Sequence, residues 1–315
     1  MNRSAAGRYA AKLSAVLILV SISTFLMLEL IPGDPVAAML PAGATPEMRE
    51  AAIERFGLGG PLIPRYFEWL GNAVQGDLGR SMHSQVPVTE AIFERLPVTL
   101  ELAGLSILLA LLIAVPIGVC SAYRPGGIID RVASFVCAVT LSIPSFLLGV
   151  ILVFIFAVTL QAFPVTGWTP LSEGLIPHLN GLALPVATLA AAESVAFIRL
   201  LRNDMIATLQ QDFVLSARAR GLPAPRILLT HALRPSAFSL ITVMGVALGR
   251  LIGGTVIVES IFSLPGLGSL VITSITGRDF FMIQGIVLFV AVGYVLLNAL
   301  VDLAYPLLDP RVRSS

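Results

Sequence analysis

Residues 98–122 read VTLELAGLSILLALLIAVPIGVCSA, a run of 25 positions in which Glu101 is the one charged side chain. A helix rises about 1.5 Å per residue, and about 20 predominantly apolar residues suffice to cross a hydrocarbon layer of roughly 30 Å. This run is long enough. It is also continuous, whereas a transmembrane barrel strand alternates apolar and polar positions over about ten residues. The rest of the chain agrees. Of 315 residues, 56% are hydrophobic and 12% charged, and the mean hydropathy is +0.90; a soluble domain carries about 25% charged residues. Such a composition cannot cover its apolar surface with solvated side chains. It excludes a soluble globular enzyme, a disordered chain, a collagen-like fibre and a disulfide framework, and it predicts an all-α polytopic membrane protein.

Working outward, five further runs qualify: residues 10–30, 132–160, 181–201, 237–258 and 283–307. Six transmembrane helices are therefore expected, with Pro116, Pro144 and Pro185 placed where they can bend three of them. Arg3, Arg8 and Lys12 before the first run imitate a secretory signal. No small-x-small cleavage pattern precedes Ile31-Pro32-Gly33-Asp34-Pro35, so the helix is read as retained. Lys and Arg counted per loop give the orientation. Thirteen fall on one side: three at the N-terminus, Arg124 and Arg131, six within 199–234, and Arg311 and Arg313. Both termini are thus expected in the cytoplasm. The chain divides into residues 1–30 (cytoplasmic N-terminus and first span), 31–97 (an extracytoplasmic segment) and 98–315 (a core of five helices). The segment 31–97 opens on a turn at residues 32–35 and carries the aromatic anchors Phe56, Tyr66, Phe67 and Trp69. Thr45 as N-cap, Pro46 at the first helical position and Gly57 beyond the end predict a short helix over 46–56.

Nineteen of the twenty basic residues are Arg; the one lysine, Lys12, lies between Ala11 and Leu13. A phosphate-cradling loop needs Gly-Lys-Ser/Thr, so no nucleotide site of that kind is expected. A net charge of +1 argues for no nucleic-acid partner. His83 and His178 fall on one side and His231 on the other, and Cys120 and Cys137 lie in apolar runs. No catalytic residue, metal site or cofactor is expected from them.

The arginine-rich segment 199–236 is the most informative. Met205, Leu209, Phe213 and Ala217 recur at a spacing of four, predicting a cytoplasmic helix over 204–220 with an apolar stripe, ended by Gly221. Pro223 and Pro225 restart the chain, and 226–233 reads as a second short helix before Pro235. A protrusion with an apolar edge and Arg side chains suits docking onto a soluble partner; the same features suit an interfacial loop held by anionic lipid headgroups.

Ser216-Ala217-Arg218-Ala219-Arg220-Gly221-Leu222, followed by Arg226-Ile227-Leu228-Leu229-Thr230-His231-Ala232-Leu233-Arg234, resembles the coupling loop of binding-protein-dependent ABC importer permeases, and in particular the dipeptide/oligopeptide (and nickel) subfamily. The resemblance covers nearly the whole chain. It is carried also by Gly76-Asp77-Leu78-Gly79-Arg80-Ser81, Glu94-Arg95-Leu96-Pro97-Val98-Thr99-Leu100-Glu101, Ser142-Ile143-Pro144-Ser145-Phe146, Val258-Glu259-Ser260-Ile261-Phe262-Ser263-Leu264-Pro265-Gly266 and Val301-Asp302-Leu303-Ala304-Tyr305-Pro306. Against the general importer pattern the chain departs: Leu215-Ser216-Ala217 stands where Glu-Ala-Ala is usual, and Pro235 comes one place late.

The resemblance implies a type I importer permease fold of six transmembrane helices with a small extracytoplasmic helical segment, in a bacterial or archaeal plasma membrane. It implies a transport subunit without its own nucleotide site, partnered by a second homologous permease, two ABC ATPase subunits or domains, and an extracytoplasmic substrate-binding protein. Peptides are the implied substrate, with nickel, glutathione or another small solute as alternatives. An ion-coupled secondary transporter working alone is the competing class. Ser216, Ala217, Arg218, Arg220, Gly221, Leu222, Arg226 and His231 would form the ATPase-coupling loop. Independently, an isolated charge in mid-bilayer costs roughly 3 kcal/mol or more. Glu193, Arg250 and Asp302 are therefore expected either to line the translocation path or to pair within the membrane.

Overall fold

The computed structural model describes residues 3–30, 44–55, 57 and 59–308. The expected turn at 32–35, Phe56, Arg311 and Arg313 lie outside the described residues, as do the side chains of 3–10, 28–30, 52, 55 and 302–308. The helices, in chain order, are α1 (Arg3–Leu30), α2 (Pro46–Arg55), α3 (Leu62–Val74), α4 (Val88–Tyr123), α5 (Ile128–Ser142), α6 (Ser145–Leu152), α7 (Leu175–Leu209), α8 (Asp212–Ala219), α9 (Ala224–Arg226), α10 (Leu233–Gly254), α11 (Val256–Ile261), α12 (Leu267–Gly277) and α13 (Phe280–Leu308). Wide π-helical turns, Val153–Thr159 and Ile227–Ala232, prolong α6 and α9. Helices dominate because hydrocarbon offers backbone N–H and C=O groups no partner, and a helix satisfies them within itself.

Helices run through the six expected regions, but fewer than six reach spanning length among the described residues, and four regions differ from expectation. Four described helices are long and apolar enough to cross a membrane, and a fifth span results if one bent pair is counted together. The first expected span lies in α1, whose described apolar run, Ala11–Met27, falls short of that length. The second begins earlier than expected. α4 starts at Val88, so the last turns of the expected extracytoplasmic segment belong to this 36-residue helix, which continues through Pro97 and Pro116. The third span is not one rod: Ile128–Ser142 and Ser145–Thr159 meet at 104°. Pro144 is the cause. It has no N–H to close a helical turn, and its ring forces the preceding residue out of the helical region; Ile143 is extended, at φ −102° and ψ 123°. The fifth is broken near its end at Thr255. The short helix expected over 46–56 forms as α2. Thr45 caps it through Met48 N–H, at 3.4 Å, and the same hydroxyl helps hold the Glu47 carboxyl below its usual range.

The chain separates into two compact units. The first comprises Met1–Pro97 and Gly266–Leu296. Here α3 packs on α1 through Phe25, with its ring 5.4 Å from Tyr66 and 5.6 Å from Trp69, and the Tyr66 hydroxyl lies 2.8 Å from Ser21 Oγ. Leu78, Val88, Ile92, Leu267, Met282 and Ile286 form its core. The Gly76–Ser81 motif folds into a tight loop closed by Val88 N–H to the Gly79 carbonyl (3.0 Å) and by Ser81 N–H to the Val86 carbonyl (2.9 Å). The buried Asp279 holds this loop. Its carboxylate accepts from Ser81 Oγ (2.5 Å), from Met82 N–H (3.1 Å) and from Met282 N–H (3.2 Å). The last of these makes Asp279 the N-cap of α13.

The second unit, Val98–Pro265 and Leu297–Ser315, is built around α7. Leu182, Ala190, Phe197, Leu201 and Met205 are fully or almost fully buried along it. Glycines bring neighbours close. A Cβ on Gly149 of α6 would stand 3.1 Å from Thr188, and one on Gly118 of α4 would stand 3.1 Å from Leu201. Small residues at helix crossings are the usual means of tight packing in membranes.

Asp279→Ala is expected to lower stability by about 2–3 kcal/mol, since it removes a helix cap and two further hydrogen bonds to one buried carboxylate. Asp279→Asn is expected to retain about half of that stabilisation. Thermal unfolding of the detergent-solubilised chain measures both.

Candidate coupling surface and buried ion pairs

The arginine-rich segment begins as the end of α7, not as a separate protrusion. α7 runs through Arg199 and Arg202 to Leu209, with Met205 and Leu209 buried. Gln211 then turns extended (φ −74°, ψ 148°), and α8 restarts at Asp212. The single helix expected over 204–220 is therefore two. The break also changes the buried face: Ala217 of the expected stripe is fully buried, but it is joined by Val214, while Phe213 of that stripe is 44% exposed.

α8 ends as its sequence predicts. Gly221 has φ +76°, its N–H donates to the Arg218 carbonyl (2.9 Å), and Leu222 N–H donates to the Ala217 carbonyl (3.3 Å). That pair of bonds is the Schellman arrangement, in which a left-handed residue closes a helix. No atom lies within 4 Å of where a Gly221 Cβ would stand. The glycine is thus required by its dihedral, not by crowding, and an L-residue there costs roughly 1–2 kcal/mol.

Past Pro223 the helix resumes at Ala224 and continues through the π turn to Gly254. The expected short helix over 226–233 is therefore the start of the fifth span. Pro235 does not end it. The wider turn just before the proline absorbs the lost N–H and the bulk of its ring.

Ser216, Arg218, Arg220, Gly221 and Arg226 are exposed on this structure, Leu222 and His231 are half-buried, and Ala217 is an anchor with no exposure. His231 Nδ1 lies 3.4 Å from the Arg226 carbonyl oxygen, and Arg220 Nε donates to the Ser216 carbonyl at 3.4 Å. Around these arginines stand exposed Phe213, Leu215 and Leu229. A cavity of about 500 Å³ lies beside α8, lined by Arg218, Leu222, Ile227, Tyr123 and Arg124 among others. Among the described residues neither Arg218 nor Arg124 has a carboxylate within 4 Å. Chemically, the surface offers apolar side chains and guanidinium donors to a partner carrying carboxylates. Arg124 and Leu215 were missed in the sequence; for Leu215 the reason is that only the break at Gln211 decides which face of α8 is outward.

The roots of this surface are tied down by a pair that the sequence reading did not single out. Arg202 of α7 donates through Nε to Asp130 Oδ1 (2.5 Å) and through Nη2 to Oδ2 (2.8 Å). Asp130 also accepts from Gly126 N–H (2.8 Å), bracing the Arg124–Gly127 turn. A signal existed: an acidic residue three places beyond Gly127, in the first turn of a helix, is an N-terminal capping pattern.

Of the three charges expected within the membrane, Glu193 and Arg250 meet. Arg250 Nη2 donates to both Glu193 oxygens, at 2.7 and 2.8 Å. Asp302 falls within α13, and its side chain lies outside the described residues. Two further polar contacts were not foreseen. His178 places Nε2 2.6 Å from Glu101 and Nδ1 2.7 Å from the Thr169 carbonyl. Glu259, fully buried, accepts from Thr99 (2.8 Å) and Thr255 (2.7 Å).

Residues 114–314 match the family described as binding-protein-dependent transport system inner membrane component, and residues 7–103 match its N-terminal companion. A probable peptide ABC transporter permease protein, y4tP, of Sinorhizobium fredii is 36% identical over 95% of this chain and 96% of its own length. A nickel import system permease protein, NikB, of Staphylococcus aureus is 34% identical over 95% of this chain and 88% of its own length. Among solved structures, a chain of the MetNI methionine ABC transporter in inward-facing form shares the fold, with a TM-score of 0.57 at 17% identity, covering 70% of this chain and 96% of that one. The match over residues 114–314 and the full-length relatives lead to one assignment: this chain belongs to the binding-protein-dependent transport system inner membrane components.

Proposed function

We propose that this chain is one of two permease subunits of an ATP-driven importer, that α8 is the element its ATPase partner grips, and that peptides are the substrate. One observation carries the reading: α8 is an isolated two-turn helix, anchored by Val214 and Ala217 and fixed in direction by the Gly221 turn, with its outer face of Phe213, Leu215, Arg218 and Arg220 exposed. Hydrolysis occurs in two ATPase subunits, which bias the helical bundle between two states through contacts that differ between them. An extracytoplasmic binding protein delivers the solute. The basic residues, gathered in the segments at both termini, residues 124–131 and residues 199–234, support a cytoplasmic side for both termini and α8.

The peptide assignment rests on relatives named as peptide permeases, such as the Sinorhizobium fredii protein. Nickel is the second reading, supported by the Staphylococcus aureus relative. Proteoliposomes holding the full importer and its binding protein, supplied with ATP, separate them. Uptake of labelled peptide competed by unlabelled peptide supports the first; uptake of Ni²⁺ insensitive to peptide supports the second.

Gly221→Asp is expected to leave the complex assembled in the membrane while abolishing transport and substrate-stimulated ATPase activity. Normal coupling in that variant would sink the α8 assignment. Replacing Arg218, Arg220 and Arg226 together by Gln is expected to weaken ATPase attachment. Exposed ion pairs contribute only about 0.2–1 kcal/mol each and are screened by salt. The wild-type attachment should therefore weaken as salt rises, and that of the variant should respond much less, as read by co-purification.

A further inference from the structure

Arg250 sits in the last turns of the apolar helix α10, yet its side chain is 64% exposed while that of its partner Glu193 is 7% exposed. Both carboxylate oxygens of Glu193 are reached from a single nitrogen, Nη2. A guanidinium carries five N–H donors. Three therefore remain, one on Nε and two on Nη1, and the described residues supply no acceptor for them. Facing lipid, such donors would each stand unsatisfied in hydrocarbon, at a cost of several kcal/mol. The open side of Arg250 must face water or a polar group.

Its neighbours fit that placement. Val246, Gly253 and Ile257 share the exposed stripe with Arg250 at helical spacing, and Gly254 has nothing within 4 Å of where a Cβ would stand. Space lies open beside the charge. The helix breaks at Thr255, one turn beyond. Broken helices at membrane depth are tolerated where they are buried in protein or line a water-filled cavity.

We infer that Arg250 lines the translocation path and receives the terminal carboxylate of the passing peptide, with Glu193 as the positioning residue that holds the guanidinium through Nη2. This rests on the peptide-importer reading above. The Glu193–Arg250 pair is neutral, so a carboxylate arriving alone would leave a net negative charge. A zwitterionic peptide brings its own ammonium, and the total stays balanced. Charge-assisted hydrogen bonds from guanidinium to carboxylate are roughly twice as strong as neutral ones, so the site discriminates an acid from its amide.

The test uses the complete importer in proteoliposomes with ATP and binding protein. Initial uptake rates are compared for a tripeptide and its C-terminal amide, each at concentrations saturating the binding protein. Wild type is expected to favour the acid by on the order of tenfold. Arg250→Gln is expected to collapse that preference through a loss in kcat for the acid, and Arg250→Lys to restore part of it. Glu193→Gln with Arg250→Gln removes both charges together, leaves no unpaired ion to disturb assembly, and should show the same collapse. If acid and amide are imported alike by the wild type, or fall together in the variants, the inference is overturned. Loss of the second permease on purification of the double variant also overturns it, by making Arg250 a subunit contact. A wild type importing neither peptide defeats the peptide reading itself, a different result.

Discussion

A charged or polar group taken out of water must be answered within the protein, and α7 carries three such answers among the described residues. His178 near its start meets Glu101 of α4, Glu193 at its centre meets Arg250 of α10, and Arg202 near its end meets Asp130 of α5. Three helices are thus pinned to one axis by polar contacts at three depths. Breaking one partner of such a pair leaves an uncompensated charge, which is why these contacts fix the arrangement even where their net contribution to stability is small. Apolar packing alone discriminates poorly between helix rotations, since lipid tails are as apolar as leucine. The pairs supply the specificity that leucines cannot.

Much of this was legible in the sequence. Length and apolar continuity located the spans, Pro144 marked the bend, and Gly221 marked the end of α8. The need of Glu193 and Arg250 for partners followed from their place in apolar runs. What the sequence did not show was choice among compatible geometries. Gln210 and Gln211 carry no strong breaker signal, so the division between α7 and α8 was invisible, and with it the exposure of Phe213. Pro235 looked like a stop because the wide turn before it leaves no mark in composition. Asp130 and Glu259 were hidden for the opposite reason: each reads as an ordinary helix-end acid until the fold brings a distant Arg202 or Thr99 to it.

The two halves of the candidate function also differ in kind. The α8 surface depends on backbone features, a cap and a left-handed glycine, which local residues determine. The Glu193–Arg250 site depends on two helices 57 positions apart in sequence meeting at one rotation. Local motifs therefore announce the first, while the second is seen only when the helices are packed.

The π turn at Ile227–Ala232 has a consequence for how this chain tolerates change in length. A wide turn holds one residue more than an ordinary helical turn, and each residue advances a helix by about 100°. Upstream stands the surface of α8; downstream, in the same continuous helix, stands Arg250. The turn takes up its extra residue locally, so the phase between them stays close to that of an ordinary helix. Removing one residue from the turn would let it relax to regular helix and leave Arg250 facing Glu193, whereas removing one from the regular helix beyond it would rotate Arg250 away by nearly a third of a revolution.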